Sequence, residues 1–348
     1  MGAYLFDLGG TYLRCTITDQ DGNIGIIKKN HIPNFINSES TEVIWPKIID
    51  DIAEYIEETE SYIGLNDTVI LAFPGPIQQP GIICGAATIA GSIETVPDIL
   101  TLISERTNRQ VFILNDISAA TWRVSEITSV NRFIVVTVSS GIGSKIFDRE
   151  HPMRVLDNVP YAGEIGHIIV DSSVEAMECD CGGKGHLGAI ASGRGIERHA
   201  QKEALRCQDV FLSSRCVRDY GGTAETLTNE NHIVPAAVKG DQWANNIIRD
   251  CTKPLASTLL TVTMALGLEK IFVIGGFALA MGELYRQMLI ELMRSACDYP
   301  LLLNHIDGLV EIGIQKEEMC LEGAAVFYKQ LLMTRAIKDA GGPHLSFP

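Results

Sequence analysis

A glycine pair follows a short apolar strand near the start of the chain. The segment DLGGT, from Asp7 to Thr11, comes directly after residues 4–6, which are Tyr-Leu-Phe. Paired glycines allow a sharp turn and leave backbone N–H groups to hold phosphate oxygens. Asp7 could then orient a metal-bound water, and Thr11 could donate its hydroxyl to phosphate. The spacing matches neither a Walker A loop nor a dinucleotide fingerprint, and an ordinary hairpin turn explains it equally well.

Asn115 and Asp116 follow a second apolar strand, Val111–Leu114. A carboxylate at a strand end that faces a cleft can accept the proton of a substrate hydroxyl as that hydroxyl attacks phosphorus. The same pair can instead cap a helix over Ile117–Arg123. From these residues alone, the capping interpretation is favoured over the catalytic one.

Cysteines and histidines meet in the middle of the chain. The segment GEIGH ends at His167, and the segment CDCGGKGH runs from Cys179 through Cys181 to His186. Two thiolates and two imidazoles would complete a tetrahedral structural zinc site. The Cys-x-Cys spacing is tighter than that of a zinc finger, so a pair of exposed free thiols is the alternative.

Two further glycine turns follow apolar strands in the second half of the chain. SSGIGSK, Ser139–Lys145, comes after Phe133–Val138, and Gly275-Gly276 comes after Ile271–Ile274. The first would suit a second phosphate cradle and the second a close approach to adenine or ribose. A plain β-turn and tight packing of the following helix are the respective alternatives. Glycine turns at equivalent places in two half-chains nevertheless favour a shared role.

The hydrophobic pattern predicts the elements that would position these residues. In the first half it predicts strands over Tyr4–Phe6, Leu13–Thr18, Ile24–Ile27, Thr68–Phe73 and Val111–Leu114, and helices over Glu42–Glu58 and Asp98–Thr107. A second copy begins at Phe133, and a helix over Trp243–Leu266 leads into its next strand. We therefore predict a duplicated α/β fold with a cleft between its halves.

Composition limits the class of protein. At 348 residues, and with roughly 150 residues per domain, two domains are expected. The net charge of 28 − 43 = −15 argues against nucleic acid as a partner. No apolar run reaches the roughly 18 residues that span a bilayer, and no secretory signal is visible. The nine cysteines, an odd number, fit reduced thiols in the cytoplasm.

Together these segments resemble the ROK family (repressors, open reading frames and sugar kinases) over nearly the whole chain. The resemblance rests on the following motifs in order: Asp7–Thr11 with Arg14, Pro74-Gly75-Pro76, Asn115-Asp116, Gly141-Ile142-Gly143, Glu164-Ile165-Gly166-His167, CDCGGKGH with Ser192-Gly193, Gly240-Asp241, Gly275-Gly276 and Leu321–Ala325. The Glu-x-Gly-His motif followed by Cys-x-Cys-Gly is the most specific part.

The resemblance implies a fold and an assembly. The fold is the duplicated actin/hexokinase-like (ribonuclease H-like) α/β fold, with two domains around a cleft. We expect a small domain over residues 1–118 plus the returning C-terminal helix in 322–348. A large domain over 119–321 would hold the zinc loop and the nucleotide site. Family members are commonly dimers, so a homodimer is expected.

The resemblance also implies an activity, the ATP-dependent phosphorylation of a hydroxyl on a hexose, an amino sugar or a sugar-like cyclitol. Asp116 would be the general base. The substrate would be bound by Asn115, Glu164, His167, Gly75 and Thr88. The nucleotide and its phosphates would be bound by Asp7, Gly9, Gly10, Thr11, Ser140, Gly141, Gly143, Gly275 and Gly276. ATP and Mg²⁺ would accompany a structural Zn²⁺ held by His167, Cys179, Cys181 and His186.

Several positions depart from the family pattern. His186 replaces the third cysteine, and Thr88 replaces an asparagine that helps to hold the sugar. Ser139, Ser144 and Lys145 stand where glycines or threonine are usual.

Gly188 stands where the family has a glutamate that binds ring hydroxyls near the anomeric carbon. Losing that acceptor should shift specificity, so we expect a substrate other than plain glucose. An amino sugar, or a cyclitol without an ordinary anomeric hydroxyl, would suit. A non-catalytic sugar sensor and a plain glucokinase are the alternatives. A DNA-binding regulator is disfavoured by the negative charge and by the position of the first glycine turn.

Overall fold

A computed structural model describes residues 2–37, 40–63, 68–79, 81–91, 96–313 and 317–339. The chain divides into two compact units. Unit 1 contains Met1–Asn131, Lys145–Ala162 and Lys316–Pro348, and unit 2 contains Arg132–Ser144 and Gly163–Gln315. The predicted division at residues 118 and 322 stays a prediction, and residues 340–348 of its small domain lie outside the described ranges.

Unit 1 is built on a five-stranded sheet. Its strands are β1 (Gly2–Leu8), β2 (Tyr12–Asp19), β3 (Lys28–His31), β4 (Thr68–Phe73) and β7 (Gln110–Asn115). Two short strands, β5 (Ile77–Gln78) and β6 (Ile82–Ile83), come between β4 and β7 in the chain and pair only with each other. The order is β3-β2-β1-β4-β7. β1, β4 and β7 are parallel, whereas β2 is antiparallel to both of its neighbours. The carboxyl ends of β1, β4 and β7 therefore share one edge of the sheet.

Unit 2 repeats this topology. Its sheet contains β8 (Arg132–Val138), β9 (Ile142–Asp148), β10 (Lys270–Ile274) and β11 (Val310–Ile312), in the order β11-β10-β8-β9. Of β9, Ile142–Ser144 belong to unit 2, and the remaining residues are counted in unit 1. β10 is parallel to β8 and to β11. The order β9-β8-β10-β11 thus corresponds to β2-β1-β4-β7 of unit 1. In both units the first of the parallel strands leads into a glycine turn, and the predicted duplication is confirmed.

Helices cover both sheets. In chain order they are α1 (Thr41–Ile63), α2 (Ala87–Ala90), α3 (Ile99–Thr107), α4 (Asp116–Ile127), α5 (Leu187–Ala191), α6 (Gly193–Arg206), α7 (Gln208–Leu212), α8 (Arg215–Arg218), α9 (Val234–Val238), α10 (Gln242–Leu266), α11 (Gly276–Met281), α12 (Glu283–Ser295), α13 (Pro300–Leu303), α14 (Ile306–Leu309) and α15 (Met319–Asp339). Among the described residues, no helix combines the length and apolar character that a membrane span needs.

The predicted helix over Glu42–Glu58 is present within α1. Ile44, Ile48, Ile52 and Ile56 recur every four residues and are all buried in the core of unit 1. A buried isoleucine contributes roughly 1.5–3 kcal/mol, so this face fixes α1 against the sheet. The other strands and helices predicted from the pattern also form, with ends that differ by a few residues.

The third predicted strand was wrong. Ile24–Ile27 was predicted, but the strand is Lys28–His31, and Ile24 makes only an isolated bridge to Thr18. The apolar run misled the prediction because its side chains are not in the core: Ile26 is 93% exposed. β3 is instead an edge strand with exposed lysines, a composition that discourages pairing with another chain.

The helix that follows the Asn115-Asp116 pair packs closely on the C-terminal helix. Arg123 of α4 and Glu322 of α15 form an ion pair at 2.5 Å. The Trp122 and Phe327 rings lie with centroids 5.8 Å apart. A Cβ atom at Gly323 would lie 1.7 Å from the carbonyl oxygen of Ala119. Gly323 therefore sets the distance between α4 and α15.

We predict that Gly323→Ala destabilises the protein by about 1–3 kcal/mol, because an added methyl forces two packed helices apart. The free energy of unfolding in urea measures the effect. Gly308→Ala is the matched control, since a Cβ atom at Gly308 meets nothing within 4 Å. Equal stabilities of the two variants would contradict the packing argument.

Candidate functional site

The shared edge of the unit 1 sheet collects three of the predicted site residues. Asp7 is the last residue but one of β1, Asn115 ends β7, and Asp116 begins α4. Ligands of open α/β sheets bind outside the carboxyl ends of the parallel strands. The strand order of unit 1 therefore places these polar side chains where a ligand is expected.

Asp7 is paired with a cation beside the first glycine turn. Its side chain is nearly buried, and Arg14 Nη1 lies 3.1 Å from Asp7 Oδ2. Burial raises the pKa of the Asp7 carboxyl, and the charge and hydrogen bond of Arg14 oppose that shift. The turn itself is closed by a 2.9 Å bond from Gly9 N–H to the Tyr12 carbonyl. The segment is thus a hairpin turn between β1 and β2, and such a turn can also face a phosphate.

Asn115 adopts the capping role that the sequence favoured. Its Oδ1 accepts hydrogen bonds from the backbone N–H groups of Ile117 (3.0 Å) and Ser118 (3.3 Å). Its Nδ2 donates to the carbonyl of Gly75 at 2.9 Å. Asn115 therefore fixes both the start of α4 and the Gly75 turn, while the second N–H of its amide can serve a ligand.

Cys320 is a buried thiol at this edge, next to Asp7 and Asp116, and sequence reasoning did not identify it. Its thiol donates to the backbone carbonyl of Asp116 at 3.6 Å. Burial raises the pKa of the Cys320 thiol well above its ordinary value, and the negative charges of Asp7 and Asp116 raise that pKa further. Asp7 and Asp116 therefore lie near one thiol, although 108 intervening residues separate them.

The predicted residues Gly10, Gly75 and Thr88 have close backbone surroundings. A Cβ atom at Gly10 would lie 2.7 Å from Thr88 Cγ2, and one at Gly75 would lie 2.2 Å from the Gly85 carbonyl oxygen. Asn34, which the sequence analysis did not identify, donates from Nδ2 to the Gly10 carbonyl at 2.7 Å. Gly10 and Thr88 are thus brought together, while Thr11 is exposed.

A buried charged cluster lies behind the start of α4. Ser118 Oγ donates to Asp157 Oδ2 at 2.7 Å, and Lys145 Nζ donates to the Ala162 carbonyl at 2.5 Å. Ser118 is fully buried, Lys145 is 3% exposed and Asp157 is 8% exposed. Burial raises the pKa of Asp157, whereas the Ser118 hydrogen bond and the positive charge of Lys145 lower it. The cluster links α4 to the segment Lys145–Ala162.

In unit 2 the second and third glycine turns meet at one pocket of about 480 Å³. Ser140 and Gly276 line it together with Gly193. The Gly193 N–H donates to the Ser139 carbonyl at 2.7 Å. Gly275 has φ +100°, and a Cβ atom there would lie 2.5 Å from the Val138 carbonyl oxygen. The volume is in the range of small-ligand pockets.

The remaining residues of the second turn have other positions. Gly141 lies between β8 and β9, and Gly143 is the second residue of β9. Ser144 Oγ donates to the Gly163 carbonyl at 2.7 Å. Lys145 also bonds a backbone carbonyl, so both departures from the family pattern hold the chain that leads into Glu164.

Four more polar residues line the pocket, and no spacing pattern in the sequence pointed to them. They are Arg194 and Glu197 on α6, and Asn229 and Glu230 in a π-helical turn, Asn229–Ile233. Asn229 Nδ2 donates to the Gly193 carbonyl at 2.7 Å. Its Oδ1 is buried and has no hydrogen-bond partner among the described residues. A buried acceptor beside a pocket fits a ligand that brings an N–H donor.

The Glu164–His167 motif forms a 3₁₀ turn over Ile165–His167. A Cβ atom at Gly166 would lie 2.2 Å from the Ile142 carbonyl oxygen. A Cβ atom at Gly188 would lie 3.1 Å from the Gly166 carbonyl oxygen, a tight contact. The structure therefore brings Gly188 against the turn that carries Glu164 and His167.

The four predicted metal ligands lie together. One donor atom from each of His167, Cys179, Cys181 and His186 lies within 4.8 Å of the other three. His186 Nδ1 is 3.3 Å from Cys181 Sγ and 3.4 Å from His167 Nδ1. A tetrahedral ion bound at about 2.0–2.3 Å needs donors roughly 3.3–3.8 Å apart. The donor set and its spacing fit a metal site.

Known proteins resemble this chain over nearly its whole length. The sequence model of the ROK family matches residues 4–329. The chain belongs to the ROK family. A C(7)-cyclitol 7-kinase of Streptomyces hygroscopicus subsp. jinggangensis (strain 5008) is 32% identical over 325 residues, 91% of each chain. An N-acetylmannosamine kinase of Haemophilus influenzae (strain 86-028NP) is 25% identical over 340 residues, 96% of this chain and 98% of its own.

The solved structures share the ROK fold. The ROK family glucokinase from Streptomyces griseus, in complex with glucose and AMPPNP, matches with a TM-score of 0.70 at 21% identity. The match covers 95% of this chain and 100% of the glucokinase. The predicted actin/hexokinase-like α/β fold with two domains is confirmed.

We predict that Asp157→Ala lowers the free energy of unfolding by about 3 kcal/mol or more, because a buried ammonium loses its counter-charge. Asp157→Asn keeps an acceptor for Ser118 and should cost less. Urea unfolding of both variants is the measurement. Asp21→Ala, at an exposed aspartate of unit 1, is the control. If Asp157→Ala were as stable as this control, the buried cluster would have no structural role.

Proposed function

We propose that this protein transfers the γ-phosphoryl group of ATP to a hydroxyl of a sugar-like cyclitol. The observation that carries the proposal is the edge of the unit 1 sheet, where Asp116 begins α4 beside the Asp7–Arg14 pair and a glycine turn. The similarity to a C(7)-cyclitol 7-kinase over 91% of the chain supports the substrate class and suggests the hydroxyl on carbon 7.

Asp116 acts as general base. Its carboxylate accepts the proton of the substrate hydroxyl while the hydroxyl oxygen bonds to the γ-phosphorus. The bond from that phosphorus to the bridging oxygen breaks, and ADP leaves. The N-terminus of α4 stabilises negative charge at Asp116, and the Asn115 cap fixes that N-terminus.

The ring of the substrate is bound by Asn115, Glu164 and His167, with Gly75 and Thr88 completing the site. Gly188 supports a ring other than glucose. The family glutamate at this position binds hydroxyls near the anomeric carbon, and a cyclitol has no anomeric carbon. A Cβ atom at Gly188 would lie 3.1 Å from the Gly166 carbonyl oxygen, so any side chain here would need a small shift of that turn.

The phosphates are bound by the turns Gly9–Thr11 and Ser140–Gly143. Arg14, next to the first turn, pairs with Asp7 and keeps further N–H groups for phosphate oxygens. When bound, Mg²⁺ would neutralise charge on the β- and γ-phosphates, and Asp7 would orient its water. The base and ribose occupy the pocket at Gly275-Gly276, where the buried Oδ1 of Asn229 suits the exocyclic amine of adenine.

His167, Cys179, Cys181 and His186 hold a structural Zn²⁺. The ion cross-links the turn that carries His167 to the loop before α5, and so supports the substrate-binding motif. A homodimer and a cytoplasmic location stay predictions.

We predict that the protein consumes ATP with a C7-cyclitol and that Asp116→Asn lowers kcat at least about 100-fold, because the proton acceptor is lost. ADP formation against a panel of C7-cyclitols, hexoses and amino sugars is the measurement. Asp21→Asn is a control for the loss of one carboxylate. Unchanged turnover in Asp116→Asn would exclude it as general base, and a highest kcat/KM with glucose would refute the cyclitol assignment.

We expect one zinc per chain in protein purified without added metal, measured by mass spectrometry. His186→Cys should retain the ion because cysteine is an equally good ligand, whereas His186→Ala should lose it and lower Tm. Cys207→Ser tests a cysteine outside the cluster and should retain the metal. A zinc content near zero with full activity would remove the zinc site from the proposal.

A further inference from the structure

The residue between the two cysteine ligands reaches the helix that borders the nucleotide pocket. Asp180 Oδ2 lies 2.6 Å from Arg194 Nη1, and Asp180 Oδ1 lies 2.7 Å from Arg198 Nη2. Arg198 Nη1 also donates to the Glu178 carbonyl at 3.3 Å. One carboxylate thus bridges two guanidinium groups of α6, and each oxygen binds one of them.

α6 belongs to the wall of the pocket. It begins at Gly193, and Gly193, Arg194 and Glu197 all line the pocket. Glu197 Oε1 accepts a hydrogen bond from the backbone N–H of Asn229 at 2.6 Å. In the described part of the chain, Arg194 is the one cationic side chain among the residues that line this pocket.

Arg194 needs an anchor to serve an anionic ligand. Arg194 and Arg198 are four residues apart on one face of α6, where like charges repel. Both guanidinium groups are about half exposed, so each is mobile without a partner. Asp180 occupies one edge of the Arg194 guanidinium and leaves other N–H groups to the pocket. Restricting the side chain before binding reduces the entropy that binding must offset.

The loop that carries Asp180 also carries two of the proposed metal ligands, Cys179 and Cys181. Backbone hydrogen bonds from Cys179 N–H to the Gly183 carbonyl (2.8 Å) and from Gly182 N–H to the Cys179 carbonyl (2.9 Å) give the loop its turn. Asp180 lies between two of the four proposed ligands, so a bound ion fixes the backbone on both sides of it. A zinc ion bound by Cys179 and Cys181 would therefore also restrict the backbone at Asp180.

We propose that Asp180 is a positioning residue for the nucleotide, which holds Arg194 at the pocket and couples zinc binding to nucleotide binding. The proposal rests on the proposed function, because it takes the pocket as the nucleotide site and the cluster as a zinc site. Coupling between two sites is reciprocal, so zinc must strengthen nucleotide binding by the same factor as nucleotide strengthens zinc binding.

The first test is Asp180→Asn, which removes the charge and keeps the shape. The Kd for the Mg²⁺ complex of AMPPNP, measured by calorimetry, should rise about 1.5-fold to fivefold, as expected for exposed ion pairs. The Kd for the acceptor should stay unchanged. Glu178→Gln is the matched control, because Glu178 lies in the same loop and its carboxylate pairs with Lys184 at 3.2 Å instead of α6. Equal AMPPNP affinities in the two variants would overturn the role of Asp180.

The second test measures reciprocity without any turnover. The Kd for zinc, measured at equilibrium by competition with a chromogenic chelator, should be lower in the wild-type protein at saturating AMPPNP, and Asp180→Asn should lose this difference. Identical zinc Kd values with and without AMPPNP in the wild-type protein would overturn the coupling. Zinc content is measured beforehand, and a chain without zinc would refute the zinc site itself. An acceptor that is not phosphorylated would refute the kinase activity, and neither result depends on Asp180.

Discussion

Unit 1 buries the carboxyl groups of Asp7 and Asp157, and Asp116, the proposed general base, lies near both. A buried carboxylate without a partner costs several kcal/mol, and this cost explains much of the surrounding sequence. Arg14 balances Asp7 from the adjacent strand, whereas Ser118 and Lys145 act on Asp157. Because Ser118 belongs to the first turn of α4, the charge balance of the interior also fixes the helix that begins with Asp116. The contacts that stabilise the buried carboxyl group of Asp157 therefore also help to position Asp116, the proposed base.

The two units share a topology but carry different residues at the carboxyl ends of their parallel strands. In each unit the first parallel strand ends at a glycine turn and the neighbouring parallel strand ends beside it. Unit 1 fills this edge with Asp7, Asn115 and Asp116, which suit proton and phosphate chemistry. Unit 2 has glycines and serines there, together with a pocket and a group of four candidate metal ligands. A fold that repeats its backbone can therefore divide chemistry and nucleotide binding between the copies.

Much of the site was predictable because its signals are local. The glycine turns, the Asn-Asp pair and the four metal ligands stand in short motifs, and the structure brings the four ligands together. Ile24–Ile27 failed as a strand since an apolar run gives no information about whether the core can reach it. Asp157 and Asn229 were missed because their partners, Ser118 and Gly193, are 39 and 36 residues away in the chain. Only the tertiary fold creates such contacts, and no spacing rule encodes them.

Four of the departures from the family pattern, Ser144, Lys145, His186 and Gly188, have a common location. Ser144 bonds the Gly163 carbonyl and Lys145 bonds the Ala162 carbonyl. A Cβ atom at Gly188 would lie 3.1 Å from the Gly166 carbonyl oxygen, and His186 Nδ1 lies 3.4 Å from His167 Nδ1. Four substitutions that are scattered in sequence thus touch one short segment, 162–167, which carries Glu164 and His167. A change of substrate through the proposed general base would instead place such departures around Asp116. The location of these four departures therefore fits the proposal that specificity in this chain depends on the shape of the turn that carries Glu164 and His167.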